Sequence, residues 1–160
     1  MIVVGDASVF IALQRIGDQD LLRRLYGEVH VPDAVWREVF SPEARDAAVA
    51  LPYWVVRHAV APLSGGNLWP ESLDEGETEA ILLARELSAD LLLLDEAAGR
   101  AVARRLGLNV TGVVGLLIEA KRQGKIEAVK PCLERLRASG FWLANKVFEE
   151  ALKRANESPT

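Results

Sequence analysis

Short, uninterrupted apolar runs alternate along this chain with segments that carry apolar residues at helical spacing. Ile2 to Gly5 and the four leucines from Leu91 to Leu94 are two such runs, and each is followed by a helical pattern. A strand without polar alternation is buried on both faces, as in a parallel sheet that is covered by helices on both sides. The sequence therefore predicts an α/β fold, with three layers (α/β/α) around a short parallel sheet.

The remaining patterns predict how the chain is divided. Further short strands are predicted at 29–31, 54–56 and 108–111, a helical stretch at 45–50, and an irregular surface loop at 61–70. Near the C-terminus, helical patterns at 113–122, 129–138 and 143–154 are separated by Gly124 and Gly140. We predict one domain over 1–155, with a C-terminal helical extension from about 125 to 155 and a disordered tail over 156–160.

Composition narrows the class of protein. With 160 residues, half of them hydrophobic, the chain can build a core without a disulfide or a structural metal. Its one cysteine, Cys132, excludes an internal disulfide and suits a reducing compartment, so we expect a cytoplasmic protein. No apolar run approaches the ~20 residues of a membrane span. The 19 basic and 23 acidic residues give a charge of −4, which argues against a protein that holds nucleic acid by charge alone.

Acidic residues stand where the predicted strands end. Asp6 and Asp95 directly follow their apolar strands, and ligands of open α/β sheets bind at the carboxyl ends of strands. Glu77 lies in the first turn of the helix before the Leu91 strand. That helix and that strand each span about 17 Å in opposite directions, so the chain returns Asp95 close to Glu77. Glu38, almost two turns into the helix after the 29–31 strand, is a weaker fourth member.

Crowded carboxylates at one edge repel each other unless a divalent cation neutralises them. A set of oxygen ligands suits Mg²⁺ or Mn²⁺. Two such ions, roughly 3.5–4 Å apart, can activate a water and stabilise the leaving oxygen of a phosphodiester. The pattern therefore predicts metal-dependent phosphodiester hydrolysis, and cations would supply the positive charge that the chain lacks.

Each acid also has a purely structural interpretation. Asp6 and Asp95 are suitable N-caps of the helices that follow them. The segment from Asp74 to Glu77 is similar to a capping box, and Glu38 fits a solvated helix face. Only the joint placement of Asp6, Glu77 and Asp95 favours a functional site.

Several segments of the chain resemble a known family. Between Val4 and Leu13 an aspartate ends the first strand and a serine follows two residues later, as at the start of PIN domains. The segment from Val31 to Glu38 is similar to the one that carries their second acid. The segments 73–81 and 91–95 are similar to a poorly characterised prokaryotic branch of these domains. The chain thus resembles the PIN-like domain superfamily of metal-dependent nucleases, which includes the VapC-type toxins of toxin–antitoxin pairs.

The resemblance implies particular roles and partners. It implies catalytic roles at the metal site for Asp6, Glu38, Glu77 and Asp95, and a hydroxyl partner beside the first acid in Ser8. It further implies an endoribonuclease that cleaves RNA with water as the nucleophile, commonly a homodimer, with a cognate antitoxin protein as a possible partner. Many PIN proteins have aspartate where Glu77 stands, so the resemblance leaves one or two metal ions open.

Other residues keep two interpretations. Arg100 lies one turn from the acidic edge, where it can hold a substrate phosphate or belong to a solvated basic face. His30 and His58 have no second ligand at metal-ligand spacing in the sequence, so we set a histidine-based mechanism aside. The alternative to a nuclease is a catalytically silent PIN-like module that acts through protein–protein interaction. A receiver-type phosphoacceptor domain ranks lower, because no lysine follows the last strand.

Overall fold

The computed structural model describes residues 1–44, 51–61 and 72–158. They form a five-stranded sheet and eight helices. In chain order the elements are β1 (Val3–Gly5), α1 (Ala7–Arg15), α2 (Leu21–Tyr26), β2 (Val29–Pro32), α3 (Asp33–Phe40), β3 (Val55–His58), α4 (Glu75–Glu86), β4 (Leu91–Leu93), α5 (Ala97–Arg105), β5 (Val110–Thr111), α6 (Val113–Arg122), α7 (Lys130–Ala138) and α8 (Asn145–Arg154). The predicted helical stretch at 45–50, and residues 62–70 of the predicted loop, lie outside the described residues.

The sheet is parallel throughout, in the order β3-β2-β1-β4-β5. From β1 the chain moves outward through β2 to β3, and then returns to place β4 on the other side of β1. The order of the strands therefore switches at β1 and β4, where a crevice opens at the carboxyl edge of an open sheet. Gly5 of β1 pairs with Leu93 of β4, so the residues that follow these two strands begin side by side.

Successive strand residues belong to the two opposite layers. Val3 and Leu93 pack into one buried cluster, whereas Val4 and Leu92 pack into the other. All four side chains are almost completely buried, which explains why these strands carry no polar alternation. The predicted α/β fold with helices on both faces of a short parallel sheet is confirmed. In the described part of the chain, no helix is both long and apolar enough to cross a membrane.

The last strand is shorter than predicted. We expect it from residue 108, but it spans only Val110–Thr111. The backbone N–H of Leu108 instead donates to the carbonyl of Ala103, and Gly107 has a φ of +77°. This is the hydrogen bond of a Schellman motif, which closes the C-terminus of α5. Because residues up to Leu108 close the end of α5, β5 begins only at Val110.

The C-terminal segment is attached to the core by a carboxylate near its end. Glu157 lies in the stretch 156–160 that we predict to be disordered. In the structure its carboxylate accepts hydrogen bonds from the backbone N–H groups of Val129 (2.7 Å) and Lys130 (3.1 Å) and pairs with Lys121 Nζ (3.0 Å). These donors stand at the N-terminus of α7 and the C-terminus of α6. The predicted tail therefore begins too early, because Glu157 satisfies helix-end donors that no local side chain caps.

Candidate functional site

The first acid is held at the end of β1. Asp6 is the N-cap of α1, and only 3% of its surface is exposed. Its Oδ2 accepts hydrogen bonds from Ser8 Oγ (2.9 Å) and from the backbone N–H of Ser8 (3.3 Å). Burial raises the pKa of Asp6 to about 6, and the charge of Asp74 acts in the same direction, against the hydrogen bonds from Ser8 and Ala7. Asp6 is therefore an N-cap, as the structural interpretation predicts. Because it is buried, however, its ionisation costs free energy that the ionisation of an exposed N-cap would not cost.

A second buried acid stands in the first turn of α4. Glu77 is 6% exposed, and its backbone N–H donates to Oδ1 of Asp74, the N-cap of the helix (2.7 Å). Burial raises the pKa of Glu77 to about 7, with further contributions from the charges of Asp74, Asp6 and Glu96. Asp6 and Glu77 are the two buried charged residues of the described chain. Both favour the protonated form more strongly than ordinary carboxyl groups do.

Gly76 shows how closely the acids approach one another. A Cβ atom added at Gly76 would stand 3.5 Å from Asp74 Oδ1, 3.5 Å from Glu38 Oε2 and 3.6 Å from Asp6 Oδ1. Oxygens from three separate segments therefore surround the space that a side chain at this position would enter. The pKa of Glu38 is raised by desolvation and by the charge of Asp74. A surface hollow of about 450 Å³ opens at this point.

Asp95 lies at the same edge but is oriented differently. Its backbone N–H donates to Ser8 Oγ (3.2 Å), so one hydroxyl connects Asp95 with Asp6. The Asp95 carboxylate, however, accepts a hydrogen bond from the backbone N–H of Val113 (3.0 Å), at the start of α6. The N-cap of α5 is Glu96. Asp95 thus binds the N-terminus of a distant helix, an arrangement that sequence spacing does not reveal.

Arg100 is engaged with Asp95. Its guanidinium donates to the Asp95 carbonyl oxygen, and Nη1 lies 3.9 Å from Asp95 Oδ1. The side chain remains 30% exposed. Gly112 leaves the room for this contact, since a Cβ atom there would stand 2.5 Å from Asp95 Oδ1 and 3.0 Å from Arg100 Nη1.

The structure brings oxygens of Asp6 and Glu38 together at Gly76, whereas Glu77 Oε2 faces Gly99 of α5, 3.5 Å from where a Cβ atom would stand. Glu77 still feels the charge of Asp6, and the carboxylate of Asp95 is held on α6.

Two further acids, Asp74 and Glu96, were not among the predicted site residues. Asp74 raises the pKa of Asp6, Glu38 and Glu77 alike, and Glu96 contributes at Glu77. Asp74 is the N-cap of α4, and the capping-box interpretation accounts for it without a functional role. Glu96 stands at the N-cap position of α5, where the sequence predicts Asp95 instead, and its side chain makes no capping hydrogen bond. The available signal was position, because helix N-termini lie at the carboxyl edge of a parallel sheet.

The acidic set fits a divalent cation in its chemistry. The donors are all carboxylate oxygens, which Mg²⁺ and Mn²⁺ prefer, and within the described ranges no basic side chain forms an ion pair with Asp6, Glu38, Asp74 or Glu77. Among residues 1–44, 51–61 and 72–158, no three His, Cys, Asp or Glu side chains stand close enough to hold an ion as they are oriented. Binding would require side-chain rotation, for which the surface hollow gives room to Glu38 and Asp74, the two members of the set that line it.

The two histidines meet although they are distant in sequence. His30 on β2 and His58 on β3 place Nδ1 and Nε2 2.7 Å apart, while Glu28 lies 3.1 Å from Nε2 of His30. Burial and then the neighbouring His58 lower the pKa of His30, so the His30 ring favours its neutral form. The contact follows from the parallel register of β2 and β3, which the sequence does not show.

Comparison with known proteins agrees with this geometry. The family model DUF3368, described as a PIN domain, matches residues 2–157. A solved PilT N-terminus domain protein from the hyperthermophilic archaeon Sulfolobus solfataricus P2 has the same fold, with a TM-score of 0.51 and 22% sequence identity over 75% of this chain and 93% of that chain. No curated protein matches the chain. PIN domains are typically nucleases that use divalent metal ions. A match over nearly the whole chain, on a sheet whose carboxyl edge carries the acids, shows that this chain belongs to the PIN domain family.

Proposed function

We propose that this protein is a Mg²⁺- or Mn²⁺-dependent endoribonuclease that hydrolyses RNA phosphodiester bonds at the carboxylate cluster. The observation that carries the proposal is the burial of Asp6 and Glu77 beside Asp74 and Glu38 without a basic partner in the described chain. Buried carboxylates with raised pKa values lower the stability of the fold, and such groups cluster at functional sites. A bound cation would remove this cost.

Each residue has a part in the proposed site. Asp6 and Glu77 would hold the ion, and Glu38 and Asp74 can reach the same space above Gly76. A divalent cation, when bound, supplies the positive charge that activates a water and stabilises the leaving oxygen. Ser8 orients Asp6 through its hydroxyl and connects it to the backbone of Asp95.

Asp95 and Arg100 have supporting parts in the proposal. Oδ1 of Asp95 accepts a hydrogen bond from the backbone N–H of Val113, so in the present geometry this carboxylate positions α6 beside the site. Arg100, held by Asp95 and partly exposed, is suited to contact a substrate phosphate.

Cleavage of a mixed RNA pool, with and without Mg²⁺ or Mn²⁺, tests the proposal. We expect Asp6→Asn and Glu77→Gln each to reduce cation-dependent cleavage by about a hundredfold or more, because each removes a charged ligand. Glu86→Gln is the matched control, since Glu86 is exposed at the opposite end of the same helix, α4. Calorimetric titration of Mn²⁺ into the wild type and Asp95→Asn then shows whether Asp95 is also a ligand. A loss of at least tenfold in affinity would assign it that role.

The alternative is a catalytically silent PIN-like module that acts through a protein partner. It predicts no cation-dependent cleavage by the folded wild type on any RNA pool, together with recovery of a partner by co-purification. Equal cleavage by the wild type, Asp6→Asn and Glu77→Gln would also contradict the nuclease proposal, because the activity would then belong to another site or to a contaminant.

The biological setting is part of the proposal. The resemblance to VapC-type toxins favours a homodimer that acts in the cytoplasm and is inhibited by a cognate antitoxin protein. Light scattering tests the dimer. Growth arrest on expression of the wild type, but not of Asp6→Asn, tests the toxin role. Arrest by both variants would contradict it, since toxicity would not depend on the carboxylates.

A further inference from the structure

The two histidines form a cluster that the proposed chemistry does not use. They stand 28 residues apart in the sequence, and the pairing of β2 with β3 brings them together. Val29 and Val31 pack into one buried cluster, so His30 between them lies on the opposite face of the sheet, where its register partner Val4 packs into the other cluster. His58 is the last residue of β3. The histidines therefore share one face of the sheet, on strands that carry none of the candidate acids.

The facing nitrogens of the two rings point directly at each other. Nδ1 of His30 and Nε2 of His58 are 2.7 Å apart, and the ring centroids are 5.0 Å apart. This centroid separation is close to the largest that such a nitrogen contact allows, so each nitrogen is aimed at the other ring. A hydrogen bond between them needs a proton on one nitrogen and a lone pair on the other. A metal ion can take the place of that proton, because neutral imidazole nitrogen is a common metal ligand.

Glu28 favours the tautomer of His30 that a metal ion requires. Its Oε1 lies 3.1 Å from Nε2 of His30, the ring nitrogen that does not face His58. An ionised carboxylate can only accept, so it favours a proton on Nε2 and leaves the lone pair on Nδ1. A carboxylate in this position orients the histidine and raises its basicity at many metal sites. The pKa of His30 is lowered by burial and by His58, so the ring is neutral, as a metal ligand must be.

The type of ligand atom selects the class of metal ion. Imidazole nitrogen suits Zn²⁺ and neighbouring transition-metal ions, whereas Mg²⁺ prefers oxygen ligands such as those of the carboxylate cluster. Zn²⁺ binds nitrogen at about 2.0–2.1 Å, so two ligands at a tetrahedral angle stand about 3.3 Å apart, about 0.6 Å more than the present 2.7 Å. A small rotation of either ring provides this separation. No third His, Cys, Asp or Glu of the described ranges completes the set, so water would fill the remaining positions.

We propose that Nδ1 of His30 and Nε2 of His58 form a second metal site, which binds Zn²⁺ and joins β3 to β2. When the ion binds, His58 gives up its Nε2 proton and takes one on Nδ1, so the two neutral rings lose no net proton. Pro32, the register partner of His58, is the residue at which β2 ends and α3 begins. The ion would therefore fasten β3 beside the start of α3. This site does not depend on the proposed nuclease function.

The test follows the imidazole proton signals by NMR while Zn²⁺ is added to the double variant Asp6→Asn/Glu77→Gln, in which the carboxylate cluster is weakened. The chain has two histidines, so these signals report on this pair alone. We expect the signals of both rings to change together and to saturate at about one ion per chain, whereas Mg²⁺ should move neither.

Calorimetry on the same background measures the contribution of each group. His58→Gln should weaken Zn²⁺ binding about tenfold or more, because it removes one of two protein ligands, and Glu28→Gln should weaken it less. Glu134→Gln, an exposed change on α7, is the matched control for Glu28→Gln and should leave the affinity unchanged.

Two results would overturn the inference. Imidazole signals that stay unmoved in excess Zn²⁺ would show that the histidines are only a hydrogen-bonded pair. This measurement needs no histidine variant, so it decides the question even if His58→Gln does not fold. Equal Zn²⁺ affinities with and without His58→Gln would place the ion elsewhere on the chain. Neither result bears on the nuclease proposal, because neither measurement involves RNA or the acids that were replaced.

Discussion

The acidic edge and the C-terminal segment use buried or half-buried carboxylates in opposite ways. At the edge, burial raises the pKa of Asp6 and Glu77, and the neighbouring acids raise it further. In the C-terminal segment, burial also opposes the charge of Glu157, but the hydrogen bonds from Val129, Lys130 and Lys121 outweigh it and lower the pKa. The ionised carboxylate of Glu157 is stabilised by hydrogen-bond donors of the protein itself. Those of Asp6 and Glu77 have no basic partner in the described chain, so a bound cation would stabilise them.

The comparison distinguishes two kinds of acid. The first kind stabilises the folded protein through its hydrogen bonds, and the second kind is stabilised only when a cation binds. Glu119, on α6, belongs to the first kind, because hydrogen bonds from Arg122 and Gln123 lower its pKa to about 2. Acids of the first kind stabilise the fold when they are ionised. Acids of the second kind destabilise it at neutral pH, and evolution retains such a cost where function requires it. The two kinds of acid therefore contribute to the free energy of unfolding with opposite signs, and this contribution can be measured.

The largest expected effect is a fall in the stability of the metal-free protein as the pH rises. Between the unfolded pKa of 3.8 and the folded pKa of about 6, Asp6 binds its proton more tightly in the folded state, so stability decreases with pH across this window. The cost reaches about 3 kcal/mol above pH 6. Glu77 acts in the same direction between pH 4.5 and about 7.

Urea denaturation of the wild type and of the double variant Asp6→Asn/Glu77→Gln, at several pH values in EDTA, measures this effect. The stability difference should grow from pH 4 to pH 7 in favour of the variant, while other groups, such as His30, cancel in the comparison. At pH 7.5, Mn²⁺ at a hundred times its dissociation constant should stabilise the wild type by about 3 kcal/mol and leave the variant unchanged. A pH-independent difference would show that these acids are already satisfied.

At Glu157 we expect a smaller effect on the free energy of unfolding, and of opposite sign, because the ionised Glu157 stabilises the fold. Glu157→Ala should lower the free energy of unfolding by about 2 kcal/mol at pH 7, because it removes the acceptor of the Val129 and Lys130 N–H groups. It also removes the ion pair with Lys121, whose ammonium keeps its hydrogen bond to the Ala155 carbonyl. The pKa of Glu157 is lowered, so its stabilisation is complete above pH 4.5 and is lost as the pH falls further. Lys153→Ala, an exposed change on α8, is the control. An effect that grows as the pH falls would reverse this assignment.

The smallest effect, on stability, is expected at Gly76. Ala is a better helix former than Gly, so Gly76→Ala should stabilise the apo protein by about 0.5–1 kcal/mol. The new methyl group would occupy the space among Asp74, Glu38 and Asp6, so the same variant should bind Mn²⁺ more weakly and cleave more slowly. Thermal unfolding and calorimetry measure both quantities. A variant that gains stability and keeps full Mn²⁺ affinity would show that the ion does not use this space.

Much of the fold can be predicted, because a strand that is buried on both faces has an uninterrupted apolar sequence. β1 and β4 are recognisable as runs without polar residues, and α6 begins and ends where its apolar pattern does. The candidate site was predictable in part, since Asp6 and Glu77 lie where a parallel sheet must bring strand ends and helix starts together. Asp74 is not predicted as a site residue, because a capping role accounts for it when it is taken alone. Glu96 is not predicted either, because the sequence places Asp95, and not Glu96, at the end of the strand and the start of the helix.

The sequence by itself determined the class of fold, the family, and the edge of the sheet at which acids gather. These depend on local periodicity and on the geometry of parallel strands, which hold for any chain with this pattern. Only the tertiary structure decided that the Asp95 carboxylate binds the N-terminus of α6, that Glu157 closes the C-terminal segment, and that His30 and His58 meet across β2 and β3. Such contacts join residues far apart in the chain, and their orientation depends on side-chain rotamers and helix packing that no local pattern encodes.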